Sequence, residues 1–299
     1  MQDNQVIKQL DNSISSKYLF EKIQKELTSV YEINETQSIA SLVLEKLFGI
    51  SRSAIILDKN IKGFSKETEK KLDQIILRLR NSEPIQYVLG ETEFYGKIMK
   101  VSPAVLIPRP ETEELVDLII KENYKREDLK ILDICTGSGC IAIALQTNLK
   151  NNSTFALDIS QKAIHMAARN AIENQSRINL RECDILKEEI PWQKISFDII
   201  VSNPPYIGES ERRLMQKNVL DHEPSLALFV KDTAPLIFYE RIIKLSKTCL
   251  VKGGRLYFEI NERFGDEISA LFSDNGFKDV EIIKDLSGKD RIAKGSYNP

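Results

Sequence analysis

The spacing of apolar residues divides the chain into a first part with a helical pattern and a second part in which strand and helix patterns alternate. From about residue 16 to residue 80, apolar side chains recur every three or four positions, as they do on amphipathic helices. Ser51 and Ser65 each precede a helical pattern and are expected as caps, while residues 60–63 predict a connecting turn. We therefore expect a small helical bundle over residues 1–82.

Residues 83–110 predict a linker built around a β-hairpin. The helical spacing stops there, and short alternating segments follow that are broken by glycines and prolines. A helical pattern returns at residues 111–123 and opens a second domain, which we place at residues 111–299.

Within that second domain, apolar runs of strand length alternate with helical segments. This alternation is typical of an α/β fold, in which a mostly parallel sheet carries helices on both faces. Residues 252–254 predict a turn before the last parallel strand. The predicted strands are 131–134, 153–158, 178–185, 197–202 and 254–260, the later helices are 234–249 and 264–273, and the closing hairpin is 280–284 with 291–293.

Length and composition describe a two-domain globular protein that we expect in the cytoplasm. The chain has 299 residues, of which 42% are hydrophobic, and this is enough for a sizeable core. No stretch reaches the roughly 20 apolar residues of a membrane span, and residues 1–5 lack the basic and apolar parts of a signal peptide. A formal net charge of −2 argues against sequence-independent binding of nucleic acid, which rests on clustered Lys and Arg.

The cysteines and histidines predict neither a disulfide nor a metal site. The 4 cysteines show no C-x-x-C spacing, and most lie in apolar segments where they act as small hydrophobic residues. The 2 histidines are too few and too scattered to hold a metal ion. These residues are Cys135, Cys140, Cys183, Cys249, His165 and His222.

The first predicted strand runs into a glycine turn that indicates a nucleotide-type cofactor site. Glycine allows positive φ and close approach of a ligand, and the helix start that follows presents free N–H groups. The turn lacks the third glycine of the dinucleotide fingerprint, so it does not identify the cofactor by itself. The expected cofactor contacts are Gly137, Ser138, Gly139, Cys140 and Ile141.

Residues at the ends of the next two predicted strands extend this site. Asp158 lies about 20 residues beyond the glycines, the spacing at which a carboxylate accepts the hydroxyls of a ribose. Asp184 is placed to accept an exocyclic adenine amine, and Ile185 offers an apolar surface for the ring. We therefore expect all three to bind the cofactor.

The tetrapeptide Asn203-Pro204-Pro205-Tyr206 follows the fourth predicted strand and indicates a loop that grips an NH2 group. Prolines have no N–H, so their carbonyl oxygens lie beside the side-chain oxygen of Asn203 as acceptors. A turn that merely ends the strand is the alternative for this tetrapeptide taken alone. Together with the glycine turn and the acidic strand ends, it favours an S-adenosylmethionine methyltransferase over an NAD dehydrogenase.

Further segments resemble the bacterial release factor glutamine methyltransferases over nearly the whole chain. The run Pro-Arg-Pro-Glu-Thr-Glu at 108–113 separates that family from other enzymes with Asn-Pro-Pro-Tyr. Two positions depart from the family, because Asn261 and Cys135 stand where a glycine is commoner. The segments that carry the resemblance are 49–52, 83–90, 93–96, 105–113, 135–142, 203–207, 223–228 and 285–291.

The resemblance implies a Rossmann-like class I methyltransferase sheet joined to an N-terminal helical bundle, with S-adenosyl-L-methionine as cofactor and a peptide chain release factor as substrate. The family methylates the side-chain amide nitrogen of the glutamine in a Gly-Gly-Gln loop. In this interpretation Asn203, Pro204 and Tyr206 are catalytic. Asn203 and Pro204 hold the acceptor amide, and Asn203 also borders the cofactor. Pro205 completes the substrate-binding loop, and the ring of Tyr206 packs against the flat amide.

Two other functions stay open at this stage. An adenine-N6 methyltransferase acting on DNA or RNA uses the same kind of loop, but it is expected to bring a basic groove or a recognition insert, and the sequence has neither. The other alternative is a catalytically silent cofactor-binding module. The intact tetrapeptide argues against it. We expect a monomer. The sequence leaves open whether the helical bundle docks the substrate or only stabilises the protein. It also leaves open whether Arg109 and Glu111 touch the cofactor.

Overall fold

A computed structural model describes residues 13–298 of the chain. The first five residues, whose sequence predicts no signal peptide, lie outside that range. The chain forms two compact units, Met1–Leu89 and Gly90–Pro299. No helix within the described range is long and apolar enough to cross a membrane.

The first unit is a helical bundle, as predicted. Its core is formed by apolar side chains of the successive helices, among them the fully buried Ile23, Leu44 and Leu72. The Ser65 hydroxyl accepts from the Thr68 N–H at 3.2 Å and caps a helix as expected. The elements are β1 Ile14–Ser15, α1 Ser16–Leu27, α2 Ile33–Phe48, α3 Arg52–Ile56, β2 Asn60–Ile61, α4 Lys66–Arg80 and α5 Ile85–Leu89.

Two elements of the first unit differ from the prediction. Part of the predicted turn at 60–63 is β2, which pairs antiparallel with β1 and buries Ile61. α5 lies where the sequence predicts no helix, and the guanidinium of Arg78 caps it by donating to the carbonyls of Tyr87 and Val88 at 3.0 and 3.1 Å. Both elements depend on contacts between segments distant in sequence, which local patterns do not report.

The second unit is built on a seven-stranded mixed sheet. Successive residues of its central strands point to opposite faces of the sheet, so that Ile131 and Leu132, for example, enter separate cores. The elements up to the middle of the sheet are β3 Glu91–Phe94, β4 Lys97–Lys100, α6 Pro110–Asn123, β5 Lys130–Ile134, α7 Cys140–Asn148, β6 Ser153–Asp158, α8 Gln161–Glu173, β7 Ile178–Glu182 and β8 Phe197–Ser202. They are followed by β9 Ile207–Gly208, a 3-10 helix Glu209–Leu214, α9 Lys217–His222, α10 Ser225–Leu228, β10 Phe229–Val230, α11 Ile237–Cys249, β11 Leu250–Glu259, α12 Gly265–Asp274, β12 Phe277–Lys284 and β13 Asp290–Tyr297.

The strand order is β12-β13-β11-β8-β5-β6-β7, which places the point of reversal between β5 and β8. The chain runs outward from β5 through β6 to β7 and then returns to the other side of β5, where β8 pairs parallel with it. Ligands of open α/β sheets bind beyond the carboxyl ends of strands at such a reversal. The predicted fold class is confirmed, and the order of the strands points to the ends of β5 and β8.

Several strands of the sheet differ in extent from the prediction. The strands of the closing hairpin, β12 and β13, are longer than predicted. β11 begins at Leu250 and runs through the predicted turn at 252–254. It does so as an irregularity, since its register against β8 shifts between Leu250 and Arg255. A Cβ at Gly254 would lie 2.9 Å from the Val251 carbonyl oxygen, so the bulged backbone requires glycine there. β7 ends at Glu182, three residues earlier than predicted, and leaves the residues after it in a loop.

Candidate active site

A cavity of about 350 Å³ opens at the carboxyl ends of the central strands, and we call it the larger cavity. Its volume lies in the range of pockets that hold small-molecule cofactors. Most of the residues predicted to bind a cofactor meet on its wall, although they come from separate loops. Those residues are Gly137, Ser138, Cys140, Ile141, Asp158, Asp184, Ile185 and Asn203, and Pro205 joins them.

The glycine loop between β5 and α7 has a left-handed backbone at Cys135, Gly137 and Gly139, with φ of 62°, 54° and 82°. Gly139 is not part of the cavity wall. A Cβ there would meet the Ala167 Cβ of α8 at 3.0 Å, so this glycine allows α8 to pack behind the loop. The departure at Cys135 places a side chain in a conformation that glycine adopts more easily.

Asn170 of α8 braces the glycine loop from behind. Its buried side chain donates to the carbonyl oxygen of Ser138 at 2.9 Å and to that of Lys100 at 3.0 Å, and it accepts from the Lys100 N–H at 2.7 Å. The loop is therefore fixed to both α8 and the hairpin β3-β4. Sequence reasoning missed this residue, because an asparagine in a helical pattern gives no local signal.

Asp158 at the end of β6 organises the loop that it faces. One carboxylate oxygen accepts from the Gly137 N–H at 2.8 Å and the other from the Ser160 N–H at 2.9 Å. Burial raises the pKa of this carboxyl, and the two N–H donors act in the opposite direction. Each carboxylate oxygen keeps a further lone pair, so the group can still accept hydrogen bonds from a ligand hydroxyl.

Asp184 and Ile185, the two residues predicted to hold an adenine ring, differ in the contacts that they already make within the protein. The Asp184 carboxylate accepts from the Leu186 N–H at 3.1 Å and from the Lys187 ammonium at 2.8 Å, which leaves part of its acceptor capacity. Ile185 is buried and lies on the wall of the larger cavity. An apolar surface and a nearby carboxylate are the partners that a purine with an exocyclic amine requires.

Asp133 lies in the middle of β5 beneath the glycine loop and is fully buried. The Thr136 hydroxyl donates to its Oδ2 at 2.6 Å, while Oδ1 has no partner among the described residues. Burial raises the pKa of this carboxyl to about 7. The site therefore contains a carboxyl group that changes charge near neutral pH.

A smaller cavity of about 210 Å³ adjoins the larger one. Pro204 and Tyr206 line it, and Asn203 belongs to the walls of both cavities. Leu106, Arg109 and Ala227 are also shared between the two walls. The tetrapeptide after β8 thus lies where the two cavities meet.

A chain of hydrogen bonds leads from Tyr206 to Asn203. The Tyr206 hydroxyl donates to Glu259 Oε1 at 3.0 Å, and the Thr112 hydroxyl donates to Glu259 Oε2 at 2.6 Å. The Asn203 Nδ2 then donates to the Thr112 Oγ1 at 3.2 Å. Burial raises the pKa of both Glu259 and Tyr206.

Thr112 and Glu259 are polar residues of the site that sequence reasoning did not assign. A signal for Glu259 existed, because a carboxylate that ends an apolar strand next to a predicted site has few other reasons to be there. Thr112 lies inside the run at 108–113, but no local pattern indicates that its hydroxyl meets Asn203 after β8 and Glu259 of β11.

Arg109 forms an ion pair with Glu223, whose side chain is almost fully buried. The guanidinium donates to Glu223 Oε1 at 2.5 Å, and the Ile107 N–H donates to the other oxygen at 3.2 Å. This pair joins the segment before α6 to the segment before α10. Arg109 itself lines both cavities, whereas Glu111 lines neither.

The departure from the family at Asn261 also has a structural role. Its Nδ2 donates to the Tyr206 carbonyl oxygen at 3.2 Å, and its Oδ1 accepts from the Arg263 N–H at 3.1 Å. The end of β11 is held further by Arg291, which donates to the Asp285 carboxylate at 3.1 Å and to the Ile260 carbonyl at 3.4 Å. The loop with the tetrapeptide is thus fastened to the end of β11.

The sheet order and the paired cavities at its reversal define a methyltransferase of the Rossmann-like class. Residues 112–224 match the family model described as methyltransferase small domain, and residues 19–90 match the PrmC N-terminal domain. Solved structures are similar in fold. One is a methyltransferase from Pyrococcus furiosus, with a TM-score of 0.50 and 18% identity, over 69% of this chain and 91% of that one. Another is the hMettl16 catalytic domain in complex with MAT2A 3'UTR hairpin 6, with a TM-score of 0.55 and 14% identity, over 81% of this chain and 85% of that one.

Curated relatives identify the family within that class. The release factor glutamine methyltransferase of Bacteroides thetaiotaomicron is 45% identical over 90% of this chain and 96% of its own length. That of Flavobacterium psychrophilum is 44% identical over 91% of this chain and 95% of its own length. The chain belongs to the release factor glutamine methyltransferase family, which confirms the resemblance found in the sequence.

Proposed function

We propose that this protein transfers the methyl group of S-adenosyl-L-methionine to the side-chain amide nitrogen of the glutamine in the Gly-Gly-Gln motif of release factors, in the cytoplasm where those factors act. The observation that carries the proposal is the meeting of two cavities at Asn203, one suited to a nucleoside cofactor and the other lined by the tetrapeptide. Family membership supports the choice of acceptor.

The larger cavity fits the proposed cofactor by the chemistry of its donor and acceptor groups. Asp158 is to hold the ribose hydroxyls, and Asp184 with Ile185 is to hold the adenine. The glycine loop brings backbone groups of Gly137 and Ser138 to the same wall for the amino-acid end. When bound, the cofactor supplies an electrophilic methyl group on a sulfonium sulfur.

In the smaller cavity Asn203 and Pro204 are proposed to orient the acceptor. The lone pair of an amide nitrogen is delocalised into its carbonyl group, so the nitrogen attacks only when it is aligned with the methyl group. If the Asn203 Oδ1 and the Pro204 carbonyl each accept one amide hydrogen, the nitrogen is held with its face toward the larger cavity. Alignment of this kind can contribute about 7–11 kcal/mol to lowering the barrier.

No group of the smaller cavity is required as a general base. As the acceptor nitrogen gains the methyl group, the carbon–sulfur bond breaks and its electron pair stays on sulfur, which would leave as a neutral thioether. The nitrogen then gives up one proton to water. Burial keeps the Tyr206 phenol protonated, since its pKa is raised and its hydroxyl donates to Glu259. We assign its ring to packing against the flat amide.

Mass spectrometry of a purified release factor tests the proposal. After incubation with labelled S-adenosylmethionine and this protein, one methyl group should appear on the peptide that contains Gly-Gly-Gln. A factor with that glutamine replaced by alanine is the matched control and should stay unlabelled. Transfer to an adenine-containing nucleic acid with none to the factor contradicts the proposal and favours the adenine-N6 alternative. The expected monomer stays a prediction, for which sedimentation analysis is the measurement.

A further inference from the structure

Two buried residues, Glu259 and Thr112, form a chain of hydrogen bonds that ends on the Asn203 side chain. Thr112 is 2% exposed and Glu259 is 1% exposed, and they are joined by the 2.6 Å hydrogen bond described above. Asn203 is the only partly exposed member of this group of three, and it lines both cavities. Its carboxamide can take two orientations that differ by exchanging oxygen and nitrogen. Only one of them presents an acceptor to a substrate NH2 group.

The number of available hydrogens decides between the two orientations. A threonine hydroxyl has one hydrogen to donate. Glu259 accepts the hydrogen of Thr112 at Oε2, and its Oε1 accepts the hydrogen of Tyr206. The Thr112 oxygen can then only accept, so the NH2 group of Asn203 must face it at 3.2 Å.

We propose that Glu259 and Thr112 are positioning residues that fix the orientation of the Asn203 carboxamide, so that its Oδ1 faces the acceptor and its NH2 group faces the protein. The proposal rests on the proposed role of Asn203 in gripping the acceptor amide. Neither residue needs to touch the substrate, because both act through the direction in which hydrogens point along the chain of hydrogen bonds.

Glu259→Gln should reverse that direction at nearly constant shape. Tyr206 donates to one end of the side chain, so the amide oxygen of the new glutamine is held at that end. Its NH2 group then faces Thr112 and donates to it. The Thr112 hydroxyl can then donate its hydrogen to Asn203. The Asn203 carboxamide therefore turns its oxygen toward Thr112 and its NH2 group toward the substrate. Two NH2 groups then face each other, and the acceptor loses its alignment.

The decisive experiment compares Glu259→Gln in two backgrounds, wild type and Asn203→Asp. In the wild-type background the single-turnover rate should fall by about tenfold or more, while cofactor affinity and the KM for the release factor change by less than about threefold. A carboxylate at position 203 has no NH2 group that could turn toward the substrate. It also gains a hydrogen bond from the Thr112 hydroxyl, whose hydrogen is no longer donated to residue 259. In the Asn203→Asp background Glu259→Gln should therefore leave the rate unchanged or raise it.

Equal fold losses in the two backgrounds would overturn the proposal, because a merely structural Glu259 is needed equally in both. Thr112→Val and Thr112→Ser provide a second pair if a Glu259 variant fails to fold. The valine variant removes the hydroxyl and should lose about tenfold in rate in the wild-type background alone, whereas the serine variant keeps the hydroxyl and should recover most of that loss. A serine variant as slow as the valine variant contradicts the proposal.

The wild-type measurement separates this proposal from the proposed function. Transfer to the Gly-Gly-Gln peptide by the wild type supports the function whatever the variants do. If the wild type methylates an adenine instead, the assignment of glutamine fails, but the same comparison of backgrounds is run on adenine, whose NH2 group needs the same acceptor. The dependence on background then still decides whether Glu259 and Thr112 orient Asn203.

Discussion

The larger and the smaller cavity share Asn203, but the contacts that shape them differ in how far apart their residues lie along the chain. At the larger cavity, Asp158 binds the Ser160 N–H two positions along the chain and the Gly137 N–H 21 positions away. These contacts join neighbouring strand-loop-helix units. The Asp158 side of the wall is therefore built by contacts between neighbouring units, while Asn170 ties the glycine loop to Lys100, 70 positions away.

At the smaller cavity the contacts span much of the second unit. Thr112 and Glu259 are 147 positions apart, and Arg109 and Glu223 are 114 positions apart. In both pairs a buried carboxylate receives hydrogen bonds from the segment around the start of α6. The difference teaches that contacts close in sequence shape the Asp158 side of the proposed cofactor site, whereas the proposed acceptor site depends on distant segments arranged around buried carboxylates.

The largest effect is expected for Asn203, which lines both cavities. Asn203→Ala should lower methyl transfer by about a thousandfold or more, because it removes an acceptor used in the reactive complex. Cofactor affinity should fall only modestly. Asn203→Asp keeps the acceptor oxygens and should retain measurable activity. Single-turnover rates with saturating cofactor are the measurement, and equal losses for the two variants would indicate that Asn203 only forms a turn.

A change confined to the larger cavity should affect binding and not transfer at saturation. Asp158→Ala should weaken S-adenosylmethionine binding by about a hundredfold or more, since hydrogen bonds to a charged group contribute roughly 1.5–3 kcal/mol each. Asp158→Asn is the matched control, because it keeps the shape of a side chain that also holds Gly137. Titration calorimetry on folded variants checks this. Unchanged affinity for the alanine variant removes Asp158 from the site.

Asp133, which accepts a hydrogen bond from Thr136 of the glycine loop, gives the stability of the protein a dependence on pH. Folded Asp133 keeps its proton up to about pH 7, whereas the unfolded chain releases it near 3.8. Between these values the folded state binds more protons, so the free energy of unfolding falls as pH rises through this window. From pH 5.5 to 7 the fall is about 2 kcal/mol.

Asp133→Asn removes this titration and should flatten the dependence of thermal stability on pH across that window. The variant should gain stability relative to wild type as pH rises, since no buried charge forms. Thermal unfolding without cofactor at pH 5.5, 7 and 8 is the measurement. Parallel curves for variant and wild type would show that Asp133 does not titrate there.

The smallest effect is expected from removing the unit that contributes to neither cavity. Residues 90–299 alone should bind S-adenosylmethionine within about twofold of the full chain, because every residue that lines the two cavities lies in the second unit. Transfer to an intact release factor should fall about tenfold if the first unit docks the factor. A short Gly-Gly-Gln peptide is the control substrate and should be affected little. A normal rate on the intact factor would leave the bundle a purely structural role.

The same contrast explains how much the sequence could predict. The parallel strands, the glycine turn and the position of Asp158 follow from patterns a few residues long, and the structure places them as expected in the fold. Gly139 shows the limit of such patterns, since the turn requires it for packing against Ala167 and not for the cavity wall.

The contacts of Thr112, Asn170, Glu223 and Glu259 could not be predicted from the sequence, for one physical reason. Each residue acts through a hydrogen bond to a segment distant along the chain, and a single sequence does not report which distant segments meet. The short pair β1-β2 and the helix α5 escaped prediction in the same way. Buried polar residues within apolar patterns are the one local sign of such contacts.

The bond between Thr112 and Glu259 also sets an order of assembly during synthesis. The ribosome adds Glu259 53 positions after Tyr206, which takes about 3–10 s at roughly 5–20 residues per second. The strands β5 to β8 and the glycine loop have by then been made, but the partner that directs the Asn203 carboxamide has not. If Glu259 acts as proposed, a growing chain should be able to hold the cofactor before it can align an acceptor, and methyl transfer is expected only after β11 has been added.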